Sequence, residues 1–364
     1  MWHAAGTLTV RNVAIPESFV VLDELLDGDL ENDPSTVRGL TNHLPMALVA
    51  KAALGAPPEE LRRFASKYET RLRPRSGANR ELTRSTWRRA LGEPAAYSDL
   101  DDFFGREISA RGVDDTVRTY MDELMAGVSA AAFHGPIRLS YALDAASPSR
   151  VGSALAYFAA NAAPLAPLET VEKTTDSPET ILSLISNEWR GGSVPSLPLI
   201  SDEMHWAARQ PSFTRLVSSL SVDDRTPQRL ADAALKLYAT TDDFTALHGV
   251  TGLEALARIR PCVDDVSAFD RFSFQALAAA YLAIGAPPVW SHDRLDEFAS
   301  STTLEQSEVQ KRGAMSDDEH VAKLVFSAQR LHASKAEPLY LAIAERAAMN
   351  DRSVPTTDAR DDDA

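Results

Sequence analysis

Residues 316–331 read SDDEHVAKLVFSAQRL, and the fold class follows from this stretch. Ser316 with Glu319 three residues later is a capping-box pattern, so a helix over about 316–332 is expected to begin here. Leu324 and Leu331 lie on its apolar stripe, His320 falls close to that stripe, and Lys323 sits at its edge. The same alanine- and leucine-rich period recurs outward along the chain. It predicts helices over 43–54, 57–69, 98–109, 113–127, 128–143, 150–161, 228–240, 245–259, 272–285 and 336–349. Punctuation agrees. Gly55 closes one helix before Pro57–Pro58 open the next, Ser147–Pro148 precede another, and Gly285 stands at a C-cap position before two prolines. Strand-like alternation is scarce, with Leu8 to Val13 the best short candidate. The expected fold is all-α: one large helical domain, or two closely packed helical halves, around a central cavity. An extended segment is expected over 1–20, helices over 21–350, and a solvated, disordered acidic tail over 351–364. The stretch 163–200, rich in Pro, Thr, Ser and Gly, reads as a seam between halves or a long connection. No fixed-period repeat is visible.

The chain has 364 residues, with 37 Lys and Arg against 52 Asp and Glu, a net charge of −15. That balance opposes a nucleic-acid groove or a polybasic membrane patch. At 44% hydrophobic and 24% charged, the composition is that of a folded protein with a substantial core. The single cysteine, Cys262, excludes an internal disulfide and any cysteine-built zinc or iron–sulfur site, and it fits a reducing compartment. The N-terminus has no basic region followed by an apolar one, so no secretory signal is expected. Phe272 to Ser291 carries no charge, but Ser273, Gln275, Gly285 and Pro287–Pro288 interrupt it. It reads as a buried central helix rather than a membrane span. A soluble, cytoplasmic protein without membrane or nucleic-acid partners is expected.

Familiar nucleotide and hydrolase motifs are missing. There is no GxGxxG after a strand, hence no flavin or nicotinamide fingerprint, and no GxxxxGK[ST], GxSxG or HExxH. An oxidoreductase on this chain would need a metal, or a substrate that reacts with oxygen without flavin. Seven arginines between Arg71 and Arg89 read as a solvated face, with an anion-recruiting rim as the alternative.

The histidines stand out by their company. His43 precedes the apolar run MALVAKAAL, while His134 and His248 lie among small residues that permit close helix approach. Imidazoles embedded in packed helices need a partner or suffer desolvation, and a shared metal ion would satisfy several at once. His320 and Lys323, at spacing i, i+3, face the same side of their helix. A lysine aimed inward tends to become neutral. It then donates its amine, acts as a base, or takes up carbon dioxide to form a carbamate. The alternative is a Lys323 that snorkels to solvent. His3 and His332 read as surface residues, and His205 matches no motif. His292–Asp293 suggests an HD-type phosphohydrolase, although the rest of that order is unpersuasive.

The runs NHLPMALVAKAALGAPPEEL, TWRRALGEPAAYSDLDDFFGREI, AAFHGPIRLSYAL, LHGVTGLEAL and DDEHVAKLVFSAQRL, in this order, resemble the questin oxidase-like family over roughly residues 20–350. That resemblance implies an enzyme of aromatic polyketide metabolism, a monooxygenase or dioxygenase that opens an anthraquinone ring by Baeyer–Villiger-type chemistry. It also implies a non-haem iron site with His43, His134, His248 and His320 as imidazole ligands and Lys323, as its carbamate, as the anionic one. Met46 stands where many relatives would have a second polar or histidine residue, so pocket shape is expected to differ.

An imidazole-rich set favours Fe, Zn, Cu or Ni over Mg or Ca. The expected cofactor is Fe(II), with NADPH as a candidate reductant and no flavin; the expected partners are a small aromatic substrate and dioxygen. Asn42, Arg138, Tyr141 and Thr251 are candidates to orient an imidazole or polarise a substrate carbonyl. Trp87 and Phe103–Phe104 line an aromatic pocket or simply pack the core. The rival readings are a metal-free NADPH-dependent oxygenase with a histidine base, a non-catalytic ligand-binding scaffold, and a family member that has lost turnover.

Overall fold

The computed structural model describes residues 16–351. The candidate strand Leu8 to Val13, His3, most of the expected extended segment and nearly all of the tail lie outside that range. Among the described residues the protein is all-α, with isolated β-bridges and no strand. Seventeen helices follow one another: α1 (Glu17–Asp29), α2 (Leu44–Ala53), α3 (Pro58–Tyr68), α4 (Tyr97–Arg111), α5 (Val113–Leu124), α6 (His134–Asp144), α7 (Pro148–Ala160), α8 (Pro178–Trp189), α9 (Ile200–Ala208), α10 (Phe213–Val217), α11 (Thr226–Thr241), α12 (Phe244–Ile259), α13 (Val266–Ala283), α14 (His292–Ala299), α15 (Gln306–Met315), α16 (Glu319–Ser334) and α17 (Pro338–Met349). Residues 17–20, expected to be extended, already belong to α1, and the stretch 163–200 contains α8.

Four of these helices form a closed circuit: α2 packs on α6, α6 on α12, α12 on α16, and α16 back on α2. Glycines let α6 and the turn before it approach α12 and α7. A Cβ at Gly252 would lie 2.5 Å from the Phe133 ring, and one at Gly135 would lie 2.8 Å from the Phe158 ring. Such distances are far inside van der Waals contact, so only glycine fits either position.

Two helix starts differ from expectation. The helix expected over 128–143 begins only at His134, because Pro136 lacks an N–H and belongs in a first turn. Before it, Ala131, Ala132 and Phe133 all adopt positive φ (46°, 54° and 69°), a strained run for residues with a Cβ. At α16 the cap is Asp318, whose carboxylate accepts from His320 N at 2.7 Å. Ser316 is not the N-cap: its Oγ accepts from Asp318 N, and its carbonyl accepts from the buried Lys51 ammonium at 2.6 Å. Glu319 is thereby released from the capping box for another use.

The charge-free stretch resolves as α13 with a following loop, and residues 273–283 are buried. No helix among the described residues is long and apolar enough to cross a membrane. Trp87, Phe103 and Phe104 pack with Tyr120 as a buried aromatic cluster, which is a core role. Six of the seven clustered arginines (Arg71, Arg73, Arg75, Arg80, Arg84 and Arg88) are engaged by carboxylates. That segment is therefore pinned to the helices beneath it rather than presented as a free anion rim.

Candidate metal centre

Each helix of the circuit delivers one histidine from its N-terminal end. His43 is the N-cap of α2, His134 the first residue of α6, His248 lies in the second turn of α12, and His320 is the second residue of α16. The rings close a circuit of their own. Centroid distances are 4.6 Å for His43–His134, 4.9 Å for His134–His248, 5.5 Å for His248–His320 and 4.8 Å for His320–His43. All four residues are buried, none more than 9% exposed. Residues from positions 43 to 320 thus meet in one place.

The outward nitrogen of each ring is engaged. His134 Nδ1 donates to Ala131 O at 2.5 Å, which is what the strained turn before α6 achieves. His248 Nδ1 donates to Phe244 O at 2.8 Å, and His320 Nδ1 contacts Asp318 Oδ1 at 3.2 Å. A carbonyl or carboxylate only accepts, so Nδ1 is the donor in each of these rings, and in the uncharged His134 and His248 Nε2 is left bare. His43 Nδ1 faces Glu319 Oε1 at 3.5 Å, and that carboxylate is held by Arg71 at 3.0 Å. Outer acceptors on Nδ1 with free inner nitrogens are the usual arrangement around a bound metal. His320 Nε2 is buried with no hydrogen-bond partner, an expensive orphan without a Lewis acid or a donor. His43 Nε2 and His134 Nε2 lie 2.7 Å apart, and because His134 carries its proton on Nδ1, His43 Nε2 is the donor of that pair.

Lys323 does not snorkel. It is 1% exposed, and among the described residues no ion pair or hydrogen bond reaches its amine. Burial pulls its pKa down from 10.5 to about 8, against the more distant negative charges of Glu319 and Asp318. His43 is held well below the usual imidazole range, first by burial and then by Lys323, the neighbouring His320 and His248 rings and Arg71, each of which disfavours a further positive charge there. His134 and His248 are depressed likewise, by burial first and by neighbouring histidines and Lys323 next. At neutral pH these three imidazoles are uncharged, the form that binds metals. The donor set therefore fits a divalent transition metal: neutral imidazoles, an amine or its carbamate, and a carboxylate close by. His43, Glu319 and His320 also place donor atoms within 4.8 Å of one another. Because Arg71 and the Nδ1 side of His43 already occupy Glu319, that carboxylate is better suited to orient His43 than to bind the ion directly. Sequence reading missed it because it looked like a capping residue.

The other candidates have indirect roles. Asn42 bonds Asp29 and the Leu44 amide, and Arg138 donates to Asn42 O at 3.1 Å, so both fix the backbone that carries His43. The His43 amide donates to the Tyr68 hydroxyl at 2.9 Å. Thr251 bonds only carbonyls of its own helix. Tyr141, Ser327 and Glu254 form a buried polar group, and Ser327 lies one turn beyond Lys323. Burial pushes Glu254 up to about 7 despite Arg330 Nε at 3.0 Å. Met46 is wholly buried and lines a slot of about 30 Å³ between α1, α2, α6 and α7, together with Arg138 and Tyr141. The slot holds about one water and is too small for an aromatic ring. His205 bonds Ser201 O, and the His292 side chain is 88% exposed, which leaves the HD-type reading without a buried site. His332 is half-buried and contacts Glu337 O.

The protein is thus of an all-α class in which four imidazoles and a lysine from distant segments are gathered near helix N-termini. The comparisons with known proteins narrow that class. A sequence model of the questin oxidase-like family matches residues 40–328, and the chain belongs to this family. Over 164 residues it is 27% identical to the "Baeyer-Villiger oxidase AgnL3" of Paecilomyces divaricatus. That alignment covers 41% of this chain and 35% of the relative, so the chain matches about a third of the relative's length.

Proposed function

We propose that the protein is an oxygenase that opens a ring of an aromatic or quinone-like polyketide by Baeyer–Villiger-type oxygen insertion at a non-haem metal centre. His43, His134, His248 and His320, with Lys323 as its carbamate, would hold the ion, and Fe(II) is the metal that suits the chemistry. The observation that carries this reading is the closed circuit of four imidazoles, with Nδ1 turned toward acceptors and His320 Nε2 buried without a partner. Bound there, iron would supply the one-electron chemistry that lets triplet dioxygen react with a closed-shell substrate.

The chain's own residues do the rest. Four helices begin at the site, and α2 and α6 lack side-chain caps, so their N-terminal amides and dipoles set a positive potential. That potential favours a phenolate or enolate over its neutral acid, and it favours the anionic carbamate of Lys323. Ala131 O, Phe244 O, Asp318 and Glu319 keep the rings oriented. Insertion of a single oxygen atom needs two electrons for the other, which leaves as water, and NADPH is a reductant of the right class; incorporation of both atoms needs none.

A second reading has its own support: the 2.7 Å contact between His43 and His134 is a hydrogen-bonded pair that serves as a base without metal. Anaerobic reconstitution with Fe(II), followed by metal analysis and oxygen uptake with an anthraquinone-type phenol, separates the two. The metal reading predicts iron retained by the wild type and lost in His43→Ala and His320→Ala, with ring-opened product carrying ¹⁸O. Oxygen consumption with NADPH by a chain that retains no transition metal would leave the base reading in its place. No turnover under either condition would favour a binding scaffold.

A further inference from the structure

Phe244 is 38% exposed, an unusual position for a phenylalanine at the start of a well-packed helix. Its ring is not idle. It makes edge contacts with His248, centroids 4.6 Å apart, and with His320, centroids 4.7 Å apart. The ring therefore lies against two imidazoles while the side chain remains partly open to solvent. The backbone beneath is fixed. Asp243 caps α12 by accepting from Thr245 N and Ala246 N, and the Phe244 carbonyl accepts from His248 Nδ1. The side chain alone is left to move, about χ1, without disturbing the ligand geometry.

We propose that Phe244 is the gating residue of the centre, a single aromatic cover that must swing outward, or be stacked upon, before a metal ion or an aromatic substrate reaches the His248–His320 edge. The proposal deepens the metal-centre reading and rests on it for the nature of what enters. Two edge-to-face contacts are weak enough to break on a functional timescale and strong enough to keep the site shut most of the time. An apolar cover also discriminates: a flat aromatic ring replaces its contacts, whereas a small hydrated molecule does not.

The test uses the full chain with Phe244→Ala and Phe244→Trp, neither of which removes a ligand or a buried core residue. In the first arm, protein loaded anaerobically with Fe(II) is mixed with excess ferrozine, and uptake and release are followed by absorbance. Phe244→Ala is expected to speed both on the order of tenfold, the population shift that two lost ring contacts allow, with the equilibrium affinity nearly unchanged. Phe244→Trp is expected to slow both. Unchanged rates, or an affinity loss equal to the gain in release rate, would overturn the proposal, since the second result means that the ring holds the ligands rather than covering them.

In the second arm, metal-free protein is treated with diethyl pyrocarbonate and modification is mapped by mass spectrometry. Faster labelling of His248 and His320 in Phe244→Ala, with His205 unchanged, supports the gate; equal labelling in all three proteins contradicts it. This arm does not require metal. A wild type that binds no iron would defeat the metal-centre reading and still leave the gate to be decided.

Discussion

Lys323 and Lys51 are both buried lysines, yet they should respond in opposite ways to removal. Lys51 is fully enclosed, pairs with Glu60 at 2.9 Å and donates to Ser316 O at 2.6 Å. Among the described residues Lys323 has neither kind of partner, and burial draws its pKa from 10.5 to about 8. A lysine whose folded pKa lies below its unfolded one destabilises the fold while both states are charged, and the penalty fades as pH rises from the folded value to the unfolded one. At about 1.36 kcal/mol per unit, the 2.5-unit gap costs about 3 kcal/mol at pH 7, about 2 kcal/mol at pH 9 and a few tenths at pH 10.5. Metal-free Lys323→Met, which keeps the volume and loses the charge, is therefore expected to be more stable than wild type by up to about 3 kcal/mol at neutral pH. The advantage should vanish above pH 10.5. Urea denaturation of chelator-treated protein across pH measures it directly. Addition of Fe(II) and bicarbonate should nearly close the gap at a hundred times Kd, where linkage stabilises wild type by about 2.7 kcal/mol, and reverse the order at a thousand times Kd, where it reaches about 4.1 kcal/mol. A metal-free Lys323→Met that is less stable than wild type at pH 7 would refute the reasoning. It would mean that the amine has a stabilising partner in the apo chain.

Three further outcomes follow from the packing and the buried charges. Lys51→Met should destabilise by about 1–3 kcal/mol in chemical denaturation, because it leaves the Ser316 carbonyl unpaired and the Glu60 carboxylate to Arg63 alone. Gly252→Ala drives a Cβ to 2.5 Å from the Phe133 ring. It should cost about 1–3 kcal/mol and, by shifting the strained turn before α6, also weaken iron binding measured by dialysis. Glu254, pushed up to about 7 by burial, lowers wild-type stability as pH rises from the ordinary carboxylate range through 7, since the folded chain must then bury a charge. Glu254→Gln should flatten that part of the thermal-melting profile between pH 5 and 8; an unchanged slope would assign it elsewhere.

Much of the helical scaffold was readable because the long amphipathic segments carry their own punctuation: Gly55, Pro58, Ser147 and Gly285 sit where the structure ends or begins a helix. Helix α1 and the helices α8, α9, α10, α14 and α15 were not read. The later five span few turns between irregular connections, so their stability comes from tertiary contact rather than local pattern. The start of α6 was misplaced although Pro136 marked it. The left-handed run at Ala131–Phe133 had no sequence signal, since alanine and phenylalanine are poor residues for that conformation. At the site, the histidines and Lys323 were visible from their apolar surroundings. Glu319 was hidden inside a capping-box pattern that Asp318 in fact supplants, and Phe244 looked like an ordinary first-turn apolar residue. Their roles depend on which helices meet, and that is a property of the circuit rather than of any segment.

The account turns on His43, His134, His248, His320 and Lys323 sharing one ion. Anomalous diffraction at the iron edge, from crystals loaded anaerobically with Fe(II), tests it most directly. The account predicts a single strong peak at bonding distance from the four Nε2 atoms, with the Lys323 side chain reaching it from α16. A peak elsewhere, or four imidazoles that keep the 2.7 Å His43–His134 contact with no metal density between the rings, would contradict it.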